Sequence, residues 1–167
     1  HMPKKCPVDG SEVVKDGVAY RCSNKNCGAR QREFLYHFVA AFGMDGLGPK
    51  IIDRFLDEGL ISDAADIFIV QKGDVAVLER FGEKSAENIV NEIEARKKIS
   101  IERFIAALGI LHVGEETSRL LAQKALDINQ KIKSPLNISN IFEHLTLEQL
   151  QKIPDVGPAV AQSIVEY

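Results

Sequence analysis

The chain of 167 residues contains no tryptophan and only three cysteines, and all three lie within its first 27 residues. An odd number of clustered cysteines argues against a disulfide framework and favours a metal site in a reducing, cytoplasmic compartment. No apolar run approaches the roughly 20 residues that a membrane-spanning helix needs, and no secretory signal is recognisable. The sequence therefore predicts a cytoplasmic protein.

An excess of positive charge is also lacking. The net charge is −3, which argues against binding to nucleic acid by bulk charge alone. The charge is unevenly spread, because residues 1–50 carry eight Lys or Arg against five Asp or Glu. A hydrophobic content of 45% is enough to build the cores of one or two domains.

The cysteine-containing segment has the layout of a small zinc ribbon. Its spacing is Cys6-x2-Asp9-x12-Cys22-x4-Cys27, with an aspartate where a second cysteine would be expected. Three thiolates and a carboxylate at this spacing can converge on a tetrahedral zinc ion. We therefore predict a structural zinc site formed by Cys6, Asp9, Cys22 and Cys27. The alternatives are a water molecule as the fourth ligand, or a ribbon that has lost its metal.

Strand signals are confined to the ribbon, and the rest of the chain has helical spacing. Short strands at 13–14 and 18–20 flank an Asp-Gly turn, and from Gln31 onward apolar residues recur on one helix face. Further helices are predicted at 49–57, 63–70, 74–80, 83–98, 101–108, 115–126, 138–144, 147–152 and 158–167. An irregular connection is predicted at Asp127–Asn137, which contains Pro135.

Four segments of the helical region align on one glycine. They read GLGPKIIDRF (46–55), RFGEKSAENI (80–89), HVGEETSRLL (112–121) and DVGPAVAQSI (155–164). Each has an apolar residue directly before the aligned glycine and another seven residues after it, which is typical of helix–hairpin–helix motifs. The first glycine of the motif is kept only at Gly46, and Arg80, His112 and Asp155 occupy that position elsewhere.

The predicted fold class is mainly α. A small β-hairpin zinc ribbon, residues 1–30, precedes an all-α domain of four helix–hairpin–helix motifs, residues 31–167. Since tandem motifs pack against their neighbours, we expect two pairs, at about 31–98 and 99–167.

The hairpins predict contacts with DNA phosphates. A turn that leads into a helix presents free backbone amides to an anion, and glycine lets a phosphate approach closely. Such contacts read phosphates rather than bases, so we expect little sequence specificity. Glu83, Glu115 and Glu116 weaken this interpretation, and the third hairpin is the weakest candidate. Any one hairpin could equally be a purely structural turn. The predicted DNA-binding residues are Gly46, Gly48, Lys50, Gly82, Lys84, Ser85, Gly114, Thr117, Gly157 and Ala159.

The order of ribbon and hairpins resembles the C-terminal part of bacterial NAD⁺-dependent DNA ligase along essentially the whole chain. The stretches that carry the resemblance include CPVDG, RCSNKNC, HFVAAFGMDGLGPKIIDRFLDEGLI, LERFGEKSAENIVNEIEARK and LEQLQKIPDVGPAVAQSI. It implies a fragment that grips nicked double-stranded DNA in the bacterial cytoplasm, at the nucleoid, during replication and repair. Asp9 is a departure from the family's four-cysteine ribbon.

The resemblance also implies what the fragment does not do. The family's adenylation domain, which carries its nucleotidyl lysine, has no counterpart in these residues, and neither do its OB-fold and BRCT domains. No catalytic residue is therefore assigned. NAD⁺ and Mg²⁺ are expected to bind only the parent enzyme, and zinc is expected in the ribbon as a structural ion.

Three other interpretations stay open. A helix–hairpin–helix module of another repair or recombination protein would not carry the ribbon. A glycosylase with this motif would need a catalytic aspartate or lysine downstream of a single hairpin, for which Asp127 and Asp155 are the nearest candidates. The acidic middle segment would suit a protein-interaction module.

Overall fold

The computed structural model of the chain describes residues 2–132 and 145–167. The helix predicted at 138–144 and the later part of the predicted connection, from residue 133, lie outside the described residues. No helix in the described ranges is long and apolar enough to cross a membrane.

The ribbon contains a two-stranded antiparallel sheet. Strand β1 (Val13–Asp16) pairs with β2 (Ala19–Cys22), with Val13 opposite Cys22 and Asp16 opposite Ala19. The turn contains Gly17, whose φ of 59° favours glycine, and Val18. The predicted strand at 18–20 is therefore shifted, because Val18 lies in the turn and β2 begins one residue later.

Helices form most of the remaining structure, as predicted. They are α1 (Gly28–Phe42), α2 (Pro49–Asp57), α3 (Lys72–Ala76), α4 (Glu83–Arg96), α5 (Ile101–Ala107), α6 (Glu115–Ile132), α7 (Leu147–Leu150) and α8 (Pro158–Val165), with a 3₁₀ helix at Asp66–Ile69. We call α1–α2, α3–α4, α5–α6 and α7–α8 the first to fourth hairpins.

Two predictions about these helices were wrong. The region 63–70 contains only the short 3₁₀ helix. The predicted irregular connection starts too early, because α6 continues to Ile132. No glycine or proline occurs between Glu115 and Ile132, so nothing in the local sequence ends the helix sooner.

The chain divides into two compact units. The first comprises His1–Ala40 and Met44–Lys97, and the second comprises Ala41–Gly43 and Lys98–Tyr167. Each has its own buried apolar side chains, worth about 1.5–3 kcal/mol apiece. Fully buried residues of the first unit are Leu35, Ile52, Phe55, Ile67 and Val75, and those of the second are Ile105, Leu121, Leu150 and Ala161. The predicted boundaries after residues 30 and 98 stay predictions.

The same tight turn joins the two helices of every hairpin. In each turn the amide of the fourth residue donates to the carbonyl of the first, with N···O distances of 3.3, 3.0, 3.0 and 3.1 Å in chain order. The first residue is buried in all four cases. The turns are Met44–Leu47, Leu78–Phe81, Ile110–Val113 and Ile153–Val156.

The third residue of each turn has a positive φ. The values are 87° at Gly46, 72° at Arg80, 66° at His112 and 62° at Asp155. The three hairpins that lack the first glycine therefore keep the backbone that glycine favours. For a residue with a side chain this conformation costs about 1–2 kcal/mol, although aspartate tolerates it better than arginine.

A charged cluster connects α1 to α2 in the first hairpin. The Arg32 guanidinium donates to Asp53 and Asp57, each at 2.6 Å, and the Tyr36 hydroxyl donates to the same Asp53 oxygen. Hydrogen bonds from Tyr36 and Arg32 lower the pKa of Asp53. Because the cluster is partly exposed, solvent screening limits its contribution to stability.

We predict that Arg80→Gly raises the free energy of unfolding by about 0.5–1 kcal/mol, because it removes the strain of a positive φ. The exposed neighbour Glu79 has no positive φ, so Glu79→Gly provides a matched control. That change should lower stability by about 0.5–1 kcal/mol. Urea denaturation measures both, and equal destabilisation by the two changes would contradict the strain at Arg80.

We predict that Asp53→Asn lowers the free energy of unfolding by about 1 kcal/mol at pH 7. The folded-state pKa of Asp53 is depressed, so its contribution is complete above the unfolded-state pKa of about 3.9. The contribution is lost as pH falls through the folded-state pKa, so the difference between the two proteins should begin to shrink below about pH 4 and vanish below the folded-state pKa. Urea titrations across pH test this, with Asp57→Asn as a control that leaves the Tyr36 hydrogen bond intact.

Candidate metal centre and nucleic-acid interface

The structure brings the four predicted metal ligands together. The candidate ligand atoms of Cys6, Asp9, Cys22 and Cys27 all lie within 4.8 Å of one another. The sulfurs of Cys6 and Cys27 are 3.7 Å apart. The sulfur of Cys22 lies 3.5 and 3.6 Å from the two carboxylate oxygens of Asp9.

The distances within the Cys6–Cys27 and Cys22–Asp9 pairs match a tetrahedral site, whereas the widest separation in the cluster, up to 4.8 Å, is longer. Zinc–sulfur bonds of about 2.3 Å at tetrahedral angles separate two sulfurs by about 3.8 Å, and a sulfur and an oxygen by about 3.6 Å. The cluster can therefore hold a metal ion with protein ligands at every position. A site closed in this way leaves no place for substrate, which is the property of a structural centre rather than a catalytic one.

The Asp9 carboxylate is held on both of its oxygens. The Ser11 amide donates to Oδ1 at 3.0 Å, and the Asn24 side-chain amide donates to Oδ2 at 2.9 Å. The Ser11 hydrogen bond is the main reason that the pKa of Asp9 lies well below its usual range, and Asn24 lowers it further. Asp9 is therefore ionised, as a metal ligand must be.

The cysteines differ in how readily they lose a proton. Hydrogen bonds from the backbone amides of Asp9 and Val8 lower the pKa of the Cys6 thiol. Burial raises the pKa of the Cys22 thiol to about 11. Because a metal ion deprotonates the thiols that coordinate it, metal binding at this cluster releases protons.

The aligned glycine of each motif is the N-cap of the hairpin's second helix. The carbonyl of Gly48 accepts the amide of Ile52 at 3.1 Å. The carbonyls of Gly82, Gly114 and Gly157 each accept an amide four residues later, at 3.0, 2.9 and 2.9 Å. The residue four after the glycine is fully buried in every hairpin: Ile52, Ala86, Ser118 and Ala161.

Nothing in the described part of the chain requires glycine at these caps. Their φ values lie outside the left-handed region, at −68° for Gly48, −96° for Gly82 and −77° for Gly157. A Cβ built on any of the four, Gly114 included, would meet no other atom within 4 Å. Nor does a side chain cap the helices that begin at Gly48, Gly82 and Gly157.

The charges around the caps differ between hairpins. Lys50 and Lys84 are exposed at the second position of α2 and α4, and neither forms an ion pair with any residue that the structure describes. The first turns of α2 and α8 contain no acidic residue. By contrast, α4 begins with Glu83, and α6 begins with Glu115 and Glu116.

The remaining predicted DNA-binding residues lie in the same four places. Gly46 belongs to the first turn and precedes the Gly48 cap. Ser85 and Ala159 are exposed in the first turns of α4 and α8, whereas Thr117 in α6 is half-buried. All ten predicted residues therefore lie in turns or at the starts of second helices, and every hairpin contains some of them.

Two regions of the chain match helix–hairpin–helix families. Residues 38–95 match the model of a SAM-like helix–hairpin–helix tandem, and residues 103–167 match a helix–hairpin–helix motif. DNA ligase of Desulfitobacterium hafniense (strain DSM 10664 / DCB-2) is 42% identical over 170 residues, which cover 99% of this chain and 24% of the relative. DNA ligase of Caldicellulosiruptor saccharolyticus is 40% identical over 172 residues, with the same two coverages.

Nearly the whole of this chain is therefore similar to one segment of DNA ligases. DNA ligase of Geobacter metallireducens, 42% identical over 170 residues, gives the same coverage. The chain therefore spans about a quarter of the length of the DNA ligases it matches.

The sequence analysis did not predict two features of this chain. The first is Asn24, whose contact with Asp9 joins residues 15 positions apart. The second is the buried residue that opens every hairpin turn. An apolar residue four positions before each aligned glycine was the available signal: Met44, Leu78, Ile110 and Ile153.

Proposed function

We propose that this chain is the C-terminal, DNA-gripping segment of a bacterial NAD⁺-dependent DNA ligase, and that its hairpins clamp the phosphate backbones of nicked duplex DNA. The observation that carries the proposal is the set of four N-cap glycines for which the chain itself has no structural need. Adenylation and nick sealing would occur in other domains of the parent enzyme, where NAD⁺ and Mg²⁺ bind.

A comparison between helices of the same chain supports this role for the glycines. Two first helices of hairpins are capped by side chains: Asp74 accepts the amide of Gln71 on α3, and Thr146 and Gln149 form a complete capping box on α7. The second helices start at glycine instead. Ser, Asp and Asn stabilise a helix N-terminus better than glycine does, because their side chains bind an amide that glycine leaves free for an anion from outside.

The two lysines support the same role. A positive charge near a helix N-terminus opposes the helix dipole, so Lys50 and Lys84 lie where they do not help their own helices. Both favour a bound phosphate. Because backbone amides supply much of the attraction, a chain with a net charge of −3 can still bind a polyanion.

We further propose that the hairpins contribute unequally. The first hairpin would contact phosphate through Gly46, Gly48 and Lys50, and the second through Gly82, Lys84 and Ser85. The fourth would use the uncharged start of α8 at Gly157 and Ala159.

The third hairpin, with Gly114 and Thr117, would contribute least, because Glu115 and Glu116 repel a phosphate at the start of α6.

The ribbon would hold one Zn²⁺ through Cys6, Asp9, Cys22 and Cys27, as a structural ion. The distances among these ligands support the proposal, as does the ionised Asp9. Zinc would hold together the two loops that contain the ligands, which the two-stranded sheet alone is too small to stabilise. The protein would work in the cytoplasm, which keeps the thiols reduced.

We predict that Gly82→Ser weakens binding to a nicked duplex several-fold and leaves the free energy of unfolding unchanged or slightly higher. The serine hydroxyl would accept the helix amides that otherwise bind a phosphate. A variant with serine at Gly48, Gly82, Gly114 and Gly157 should lose most of its affinity. Fluorescence anisotropy at several salt concentrations measures binding, and urea denaturation measures stability.

Gly73→Ala is the matched control, since Gly73 is an exposed glycine with no atom within 4 Å of a built Cβ, and it lies in the first turn of α3 rather than at the N-cap of a second helix. Its DNA affinity should not change. The DNA affinity of the unsubstituted chain should fall steeply as the salt concentration rises, because each neutralised phosphate contributes about −0.9 to the slope of log K against log salt concentration. Equal affinities for the fourfold serine variant and the parent chain would refute the DNA-clamp proposal.

We predict that the purified chain contains about one zinc ion per molecule. Asp9→Ala should weaken zinc binding because it removes a ligand, and Asp9→Cys should strengthen it because thiolate is the softer donor. Elemental analysis gives the stoichiometry, and competition with a chromogenic chelator gives the affinity. Absence of metal from protein refolded with zinc would contradict the zinc site.

A further inference from the structure

Asn24 connects the two loops of the metal cluster without belonging to the ligand set. It lies between Cys22 and Cys27, and its side-chain nitrogen donates to Asp9, in the loop that follows Cys6, at 2.9 Å. Among the described residues outside the ligand set, it is the side chain that hydrogen-bonds Asp9, the one oxygen ligand of an otherwise thiolate site.

The orientation of the Asn24 amide is fixed by its second contact. Its Oδ1 accepts the backbone amide of Asn26 at 2.9 Å, so the opposite end of the group, Nδ2, must face Asp9. The Asn24 backbone carbonyl also accepts the amide of Cys27 at 3.2 Å. Asn24 therefore shapes the second loop and directs a hydrogen-bond donor at the ligand of the first.

Aspartate needs such a donor more than cysteine does. A cysteine sulfur is placed by one side-chain torsion, whereas a carboxylate also rotates about χ2, which has broad minima. Ser11 holds one oxygen of Asp9 and Asn24 holds the other. Together the two donors fix the plane of the carboxylate towards the sulfurs.

We propose that Asn24 is a positioning residue, which orients the Asp9 carboxylate as the fourth metal ligand in place of a cysteine. The inference rests on the proposed metal site and goes beyond its ligand set. It implies that Asn24 and Asp9 act as a unit. With cysteine at position 9, the Asn24 side chain would no longer be needed for metal affinity.

A double-mutant cycle tests the proposal. Affinity for Co²⁺ and Zn²⁺ is measured in the parent chain, Asn24→Leu, Asp9→Cys and the double variant, by chelator competition. Loss of a hydrogen bond to a metal ligand lowers affinity about 10–100-fold, so Asn24→Leu should weaken binding by that factor. In the Asp9→Cys background the same change should cost less than about 3-fold, because the carboxylate that it positions is gone.

The ligand-field spectrum of bound Co²⁺ gives a second readout. Asn24→Leu should shift and broaden the visible bands of the tetrahedral ion, whereas Asn24→Leu with Asp9→Cys should keep the spectrum of Asp9→Cys. Asn24→Asp retains the acceptor for the Asn26 amide but removes the donor, so it should also lose affinity if Asn24→Leu misfolds. Asn26→Ala is the control, because its contact with Asn24 is made by the backbone, and it should bind metal like the parent.

The outcomes separate the two proposals. If the parent chain binds no metal, both the zinc site and the role of Asn24 are wrong. If the parent binds metal and Asn24→Leu has the parent affinity, only the role of Asn24 is wrong. Equal losses in the Asp9 and Asp9→Cys backgrounds would show that Asn24 merely shapes its loop, which also overturns the positioning role.

Discussion

The hairpins depend on one backbone constraint, the positive φ at the third residue of each turn. This residue reverses the chain between a buried residue that opens the turn and the glycine that starts the next helix. Ile110 and Gly114 in the third hairpin illustrate the result, since Ile110 is buried and Gly114 is exposed. The constraint thus fixes both the packing of the hairpin against its core and the outward position of the helix amides.

The sequence predicted this architecture better than it predicted the turn itself. The aligned glycines were recognisable because each is followed four residues later by a residue that the structure buries completely, such as Ala86. Arg80, by contrast, looked like a departure from the motif. Backbone conformation is set by the hydrogen bond across the turn and by the buried residue that opens it, so a side chain can occupy a position that favours glycine at a modest cost. Residue identity alone does not reveal that cost.

In the metal cluster, the ligands could be predicted from the sequence but the residue that supports Asp9 could not. The four ligands followed from spacing, since two short loops on a hairpin bring such residues together whatever the details of packing. Asn24 did not follow, because its contact with Asp9 crosses between the loops. The predicted end of α6 was wrong for a local reason. The irregular connection was predicted around Pro135 and placed from Asp127 onward, although the residues from Glu115 to Ile132 contain no glycine or proline that would end the helix.

The two proposed sites solve the same electrostatic problem in opposite ways. At the hairpins, a negatively charged ligand would meet neutral backbone amides, so the chain needs few cationic side chains and can remain acidic overall. In the ribbon, a cation would meet three thiolates and a carboxylate, giving a centre of net charge about −2 (two positive charges from the metal and four negative from the ligands). Donors from Ser11 and Asn24 point at the carboxylate and spread part of that charge. A carboxylate ligand accepts such hydrogen bonds more strongly than a thiolate does. A site with aspartate instead of cysteine at position 9 therefore gains hydrogen bonds that stabilise its negative charge.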